Sequence, residues 1–154
     1  MRLILPAAFA AAAAATPASA QQVKPLLDLR LRHEHVDQEG LADKADATTL
    51  RARAGAELTG SDWSLLAEGE GTLAPVERYD SGLNGKLRYP LVADPENFEL
   101  NRLQLQYRGL AKTAVTLGRQ RINLEDQRFV GSAGWRQNEQ TFDALRLEHG
   151  DAKG

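Results

Sequence analysis

The chain has 154 residues, of which 26% are charged, no cysteine, and a formal net charge of −2. That length fits one ordinary domain. Disulfide frameworks, thiolate metal sites and thiol nucleophiles are excluded. With no polybasic run and no interleaving of aromatic with basic residues, nucleic acid is not an expected partner.

Met1–Ala20 carries one basic residue (Arg2), an apolar run from Leu3 to Ala15, and a small-x-small end at Ala18-Ser19-Ala20. This predicts a signal-peptide helix, cleaved so that the mature chain starts at Gln21. The apolar run is shorter than the roughly 20 residues a membrane-spanning helix needs. The expected division is therefore a signal peptide over 1–20 and a mature portion over 21–154. An exported chain of this kind can be periplasmic, secreted or an outer-membrane barrel, and the strand pattern has to choose.

Strand one is expected over about 26–36, where Leu27, Leu29 and Leu31 alternate with Asp28, Arg30, Arg32 and Glu34. An acidic loop, Asp37–Ala47, follows. Strand two covers about 48–58. It sets Leu50, Ala52, Ala54, Ala56 and Leu58 against Arg51, Arg53, Gly55 and Glu57. Thr59–Asp62 is a tight turn. In strand three, about 63–73, Trp63, Leu65, Ala67 and Leu73 alternate with Ser64, Leu66, Glu68 and Glu70. A long loop, Ala74–Asn97, leads to strand four at about 98–108. There Leu103, Leu105 and Tyr107 oppose Arg102, Gln104, Gln106 and Arg108. The short turn Gly109–Lys112 leads to strand five, about 113–121, with Val115 and Leu117 on one row. Ile122–Gln140 is a second long loop, and strand six covers about 141–149, with Leu145 and Leu147 against Arg146 and Glu148.

The fold expected is all-β: an antiparallel up-and-down meander of six strands. Its connections run long, short, long, short, long, as in outer-membrane barrels, whose periplasmic turns are short and outer loops long. Trp63 and Tyr107 sit on the apolar rows beside the two short turns, where an amphipathic ring suits the lipid interface. The leucine rows would then face outer-membrane lipid. The competing reading is a soluble periplasmic or secreted β-sandwich that binds sugar or protein, with the same leucines under a second layer.

In the barrel reading, Arg30, Arg32, Arg51, Arg53, Arg102 and Arg108 face a wet lumen together with Glu68 and Glu70, because lipid rejects such charges. If Leu58 opposes Trp63 across the tight turn, Arg53 opposes Glu68 and Arg51 opposes Glu70. Basic side chains partly countered by glutamates favour anions. No cofactor or metal is expected. His33 and His35 share a strand face but have no identifiable third ligand, and Ser64 has no histidine in register to activate it. The chain reads as a non-enzyme.

Gly118-Arg119-Gln120, Arg128-Phe129-Val130-Gly131, Gly134-Trp135-Arg136-Gln137-Asn138 and Gln140-Thr141-Phe142-Asp143 together resemble the alginate-export family of outer-membrane barrels and its porin-like members. The resemblance implies a monomeric barrel of many more strands that passes an anionic polysaccharide or smaller carboxylate solutes. Physically, the same stretch reads as a loop folded back into the pore. Phe129 and Trp135 would anchor it, and Arg119, Arg121, Arg128 and Arg136 would be candidate constriction residues. Arg119 and Arg121 share parity with the apolar row of strand five, so they lie either beyond the hydrocarbon or past a bulge. Six strands cannot enclose a lumen. The chain is therefore expected to be the N-terminal third or so of a longer barrel, the other explanation being closure by oligomerisation.

Overall fold

The computed structural model describes residues 21–150, so the expected signal peptide, Met1–Ala20, lies outside the described residues. Six strands form one sheet: β1 (Gln22–Val36), β2 (Ala45–Thr59), β3 (Trp63–Arg78), β4 (Asn97–Leu110), β5 (Thr113–Gln120) and β6 (Phe142–His149). They lie in the order β1-β2-β3-β4-β5-β6, with every neighbouring pair antiparallel. The sheet is the meander read from the alternating rows. β1 to β4 extend further than the sequence pattern predicts, because their ends continue the ladder beyond the leucine rows.

Period-two alternation sorts the side chains onto two faces. Across one face run Leu29, Ala52, Gly71 and Phe98 in register, and lower down Trp63, Tyr107, Val115 and Leu147. No second layer covers this face among the described residues. Leu29 is 67% exposed, Leu103 46%, Leu105 48% and Leu145 70%. The other face is polar yet buried: Arg51, Arg53, Glu68, Glu70, Thr72, Asn101 and Thr116 are all inaccessible. A soluble sandwich would bury the leucines and solvate the charges. Here the polarity is inverted.

The only buried hydrophobic cluster among the described residues is small and sits at the loop end of the polar face. Ala45, Ala47, Tyr79 and Val92 form it, with Val36 and Ala74 against them. It seats the connection 79–96. Burial, with the Glu77 and Asp94 carboxylates nearby, pushes the Tyr79 phenol up to about 12. Its hydroxyl donates to the Asp94 carbonyl at 2.8 Å. Loop 37–44 joins the same end through the Asp43 N–H, which donates to the Arg88 carbonyl at 3.3 Å, and through the Arg88–Asp43 ion pair.

The register between β2 and β3 departs from the expected one by two residues. Thr59 pairs with Ser64 and Leu58 with Leu65, so Arg53 faces Glu70, while Glu68 faces Gly55 and Arg51 faces Thr72. The turn tip is Ser61-Asp62, closed by the Gly60 N–H on the Trp63 carbonyl at 2.8 Å. A two-residue tip carries the ladder one pair further round the bend than a four-residue turn would.

Among the described residues three register shifts interrupt the ladders, one of them between Tyr107 and Leu110 beside the β4–β5 turn; the other two adjust the faces. Thr48 pairs with Val76 but Leu50 with Leu73, so Thr49 alone opposes Ala74 and Pro75. The proline, which has no N–H to give the ladder, sits where pairing is already broken. In β4, Glu68 pairs with Arg102 and Gly69 with Leu100, leaving Asn101 as the extra residue. An unpaired residue re-aims its side chain, and Asn101 joins Arg102 on the polar face.

Candidate functional site

The polar face is covered by the connection 121–141, which folds back over the sheet instead of standing away from it. Three consecutive residues hold it, reaching β2, β4 and the 79–96 connection between them. Gln137 Nε2 donates to Thr49 Oγ1 at 2.8 Å and to the Thr49 carbonyl at 3.1 Å on β2. Asn138 Nδ2 donates to the Pro95 carbonyl at 2.8 Å in the 79–96 connection. Glu139 accepts from Asn101 Nδ2 at 2.8 Å on β4 and lies 3.3 Å from Arg53 Nη2 on β2.

Glu139 completes a buried charge cluster. Arg121 pairs with Glu139 and reaches Glu68 at 3.4 Å. Arg102 grips Glu68 with two parallel hydrogen bonds of 2.8 Å, the bidentate geometry that a guanidinium fork permits. Arg53 pairs with Glu70. Asn101 Nδ2 also donates to Glu68 at 2.9 Å. Each guanidinium in this group therefore has a carboxylate, so the cluster is close to neutral.

A second group of arginines holds the backbone of the strap. Arg30 Nη1 donates to the carbonyls of Gly134, Trp135 and Arg136 at 3.0, 3.3 and 3.2 Å. Arg51 reaches the Arg136 carbonyl at 3.5 Å and pairs with Asp28. Arg32 donates to the Trp135 carbonyl at 3.5 Å and to Asp94 Oδ2 at 2.7 Å, and pairs with Glu34. The other Asp94 oxygen accepts from the Gln137 N–H at 3.0 Å. Asp94 thus joins β1 and both long connections at one buried carboxylate.

Of the wall arginines expected from the sequence, Arg30, Arg32, Arg51, Arg53 and Arg102 lie on the polar face and are engaged with protein groups. Arg108 is exposed beside the β4–β5 turn, in the irregular stretch after Tyr107, and its backbone N–H donates to the Asp62 carbonyl at 2.6 Å. Among the constriction candidates, Arg119 is a strand residue opposite Leu103, on the leucine face. It grips Asp143 at 2.9 and 2.8 Å and donates to the Leu100 carbonyl at 3.1 Å. Arg121 follows the end of β5 and turns to the polar face. Arg128 lies on an exposed segment with its guanidinium 5.8 Å from the Phe129 ring centre. Arg136 stacks on Trp135 at 4.9 Å.

The aromatic anchors are corrected. Phe129 is 91% exposed and Trp135 64% exposed, so the strap is held by polar side chains. Asp94, Asn101, Gln137, Asn138 and Glu139 carry that anchoring and were not singled out as site residues. The polar run Gln137-Asn138-Glu139 inside an otherwise glycine- and arginine-rich loop was the available signal. The histidines are capped by neighbours on β2: His33 Nδ1 lies 3.0 Å from Thr48 Oγ1, and His35 Nδ1 lies 2.7 Å from Asp46 Oδ1.

A family model described as alginate export matches residues 27–153. No curated protein and no solved structure matches the chain.

Proposed function

Because the chain belongs to the alginate-export family, an outer-membrane family of transport channels and not of enzymes, we propose that it forms the N-terminal part of a channel wall passing anionic solutes or polysaccharide. In this reading the leucine face meets outer-membrane lipid and the charged face meets a water-filled lumen. The strap 121–141 narrows that lumen, and Met1–Ala20 is the export signal.

The observation that carries the reading is the inverted polarity of the sheet. Sixteen-residue β3 places Leu65 and Leu73 outward, at 41% and 62% exposure, while Glu68 and Glu70 on the same strand are buried. A transmembrane strand needs only about 9–11 residues, so β1 to β4 suffice with length to spare. Trp63 and Tyr107 are register partners at the short-turn end of the leucine face. That is where an aromatic girdle would meet the lipid headgroups.

The test is a reversal potential measured across planar bilayers holding the full-length protein under a salt gradient. The reading predicts stepwise conductance with anion preference. Cation preference would reject the anion assignment, and absence of any conductance would reject the channel.

A further inference from the structure

We propose that Arg136, and not the arginines of the strand wall, is the residue that selects a carboxylate-bearing solute, with Trp135 as its positioning residue. This rests on the channel reading above and deepens it by assigning one side chain to solute contact.

A guanidinium already gripped by a carboxylate or by backbone carbonyls offers few donors to a passing anion. Arg53, Arg102 and Arg121 are committed to Glu70, Glu68 and Glu139. Arg30 is spent on three carbonyls of the strap, Arg51 on Asp28 and Arg32 on Asp94 and Glu34. These side chains clamp the strap. Arg108, Arg128 and Arg136 are exposed and have no carboxylate within ion-pair distance among the described residues; Arg108 sits beside the short β4–β5 turn and Arg128 lies over the exposed Phe129 ring, and of the three it is Arg136 that lines the cleft beside Asp94.

Its surroundings suit the role. Arg136 and Trp135 border a cleft of about 280 Å³ shared with Arg32, Glu34, Leu91 and Asp94. The strap backbone beneath them is pinned at Gly134, Trp135 and Arg136 by Arg30 and at Gln137 by Thr49 and Asp94. Arg136 is therefore presented from a fixed backbone and stacked on an indole. Such stacking leaves the in-plane N–H edge of a guanidinium free for bidentate binding. Of the cleft's two carboxylates, Asp94 is buried against Arg32 and Gln137, whereas Glu34 is partly exposed and opposes an incoming anion.

The experiment uses the full-length protein in planar bilayers, with trigalacturonate as the charged probe and maltotriose as the neutral one. Arg136→Gln is expected to weaken trigalacturonate block about tenfold or more, the loss of one charge-assisted contact, with maltotriose block unchanged. Arg136→Lys is expected to restore only part of the block, because lysine lacks the fork. Trp135→Ala is expected to weaken trigalacturonate block with maltotriose block unchanged, and Glu34→Gln to strengthen it. An Arg136→Gln channel that blocks like wild type, or one in which Arg136→Lys binds as tightly as arginine, overturns the assignment while leaving the channel standing. Should wild type not conduct at all, quenching of Trp135 fluorescence by trigalacturonate, read against Trp135→Phe, decides the same point: quenching lost in Arg136→Gln supports it, and quenching unchanged or absent overturns it.

Discussion

Gln137 and Thr49, distant in sequence, meet at 2.8 Å on the polar face, where both side chains are buried. A buried amide that bonds both the hydroxyl and the carbonyl of one strand residue fixes a loop far better than the apolar contacts a loop usually makes. Gln137→Ala leaves the Thr49 hydroxyl and carbonyl without this donor. The cost is expected to be about 1–3 kcal/mol, read as a lower unfolding midpoint of the refolded protein in detergent. Protease cleavage between 121 and 141 should rise in parallel. Unchanged cleavage would show that Asn138 and Glu139 hold the strap without it.

Gly118 is a second fixed point. Its φ is +114°, and a Cβ there would lie 2.2 Å from the Leu103 carbonyl oxygen. The opposing atom is backbone and cannot step aside. Gly118→Ala is expected to destabilise by about 1–3 kcal/mol, whereas Gly134→Ala, whose Cβ would meet nothing closer than 3.9 Å, serves as the tolerant control. Urea titration of the folded band on gels distinguishes the two. Equal midpoints would contradict the strain.

Burial pushes the Tyr79 phenol up to about 12, above its free value of about 10. A folded pKa raised in this way means that burial favours the protonated phenol. The stability it contributes is complete below pH 10 and is lost as pH climbs through 12. Absorbance at 295 nm should show a late phenolate transition that Tyr79→Phe removes. A transition at the ordinary position would show the loop 79–96 to be open to water.

The leucine face predicts a sharp asymmetry under substitution. Leu103→Arg is expected to cost about 2–4 kcal/mol if the residue meets hydrocarbon. Gln104→Arg, one residue on and across the sheet, is expected to cost far less because that face already holds charges. Refolding yield into lipid vesicles measures both. Comparable losses at the two positions would remove the distinction between the faces.

Alternation alone made the strands legible. Leu27-Leu29-Leu31, Leu103-Leu105-Tyr107 and Leu145-Leu147 each lie where their spacing placed them, since a two-residue period tolerates no other assignment. Register was not legible at β2–β3. Thr59-Gly60-Ser61-Asp62 accommodates either a two- or a four-residue bend, and both preserve the faces while sliding Arg53 from Glu68 to Glu70. Parity gave the face of Arg30 but not its partners, because these come from a loop more than a hundred residues away. Asn101 was hidden for another reason: a bulge breaks the very alternation used to find it. Arg119 kept the parity of Val115 and Leu117, and Asp143 across the ladder neutralises it on the leucine side.

The two faces themselves are open to direct measurement, because the chain has no cysteine of its own. Single cysteines at Leu29, Leu105 and Leu145 can be compared with single cysteines at Gln104, Gln106 and Arg146, half-buried positions on the opposite face. Each would carry a fluorophore in the full-length protein in vesicles, exposed either to a nitroxide on the lipid acyl chain or to iodide in the water. The account predicts nitroxide quenching for the leucine set and iodide quenching for the polar set. Iodide quenching at Leu29, Leu105 and Leu145, with none from the acyl-chain nitroxide, would contradict it.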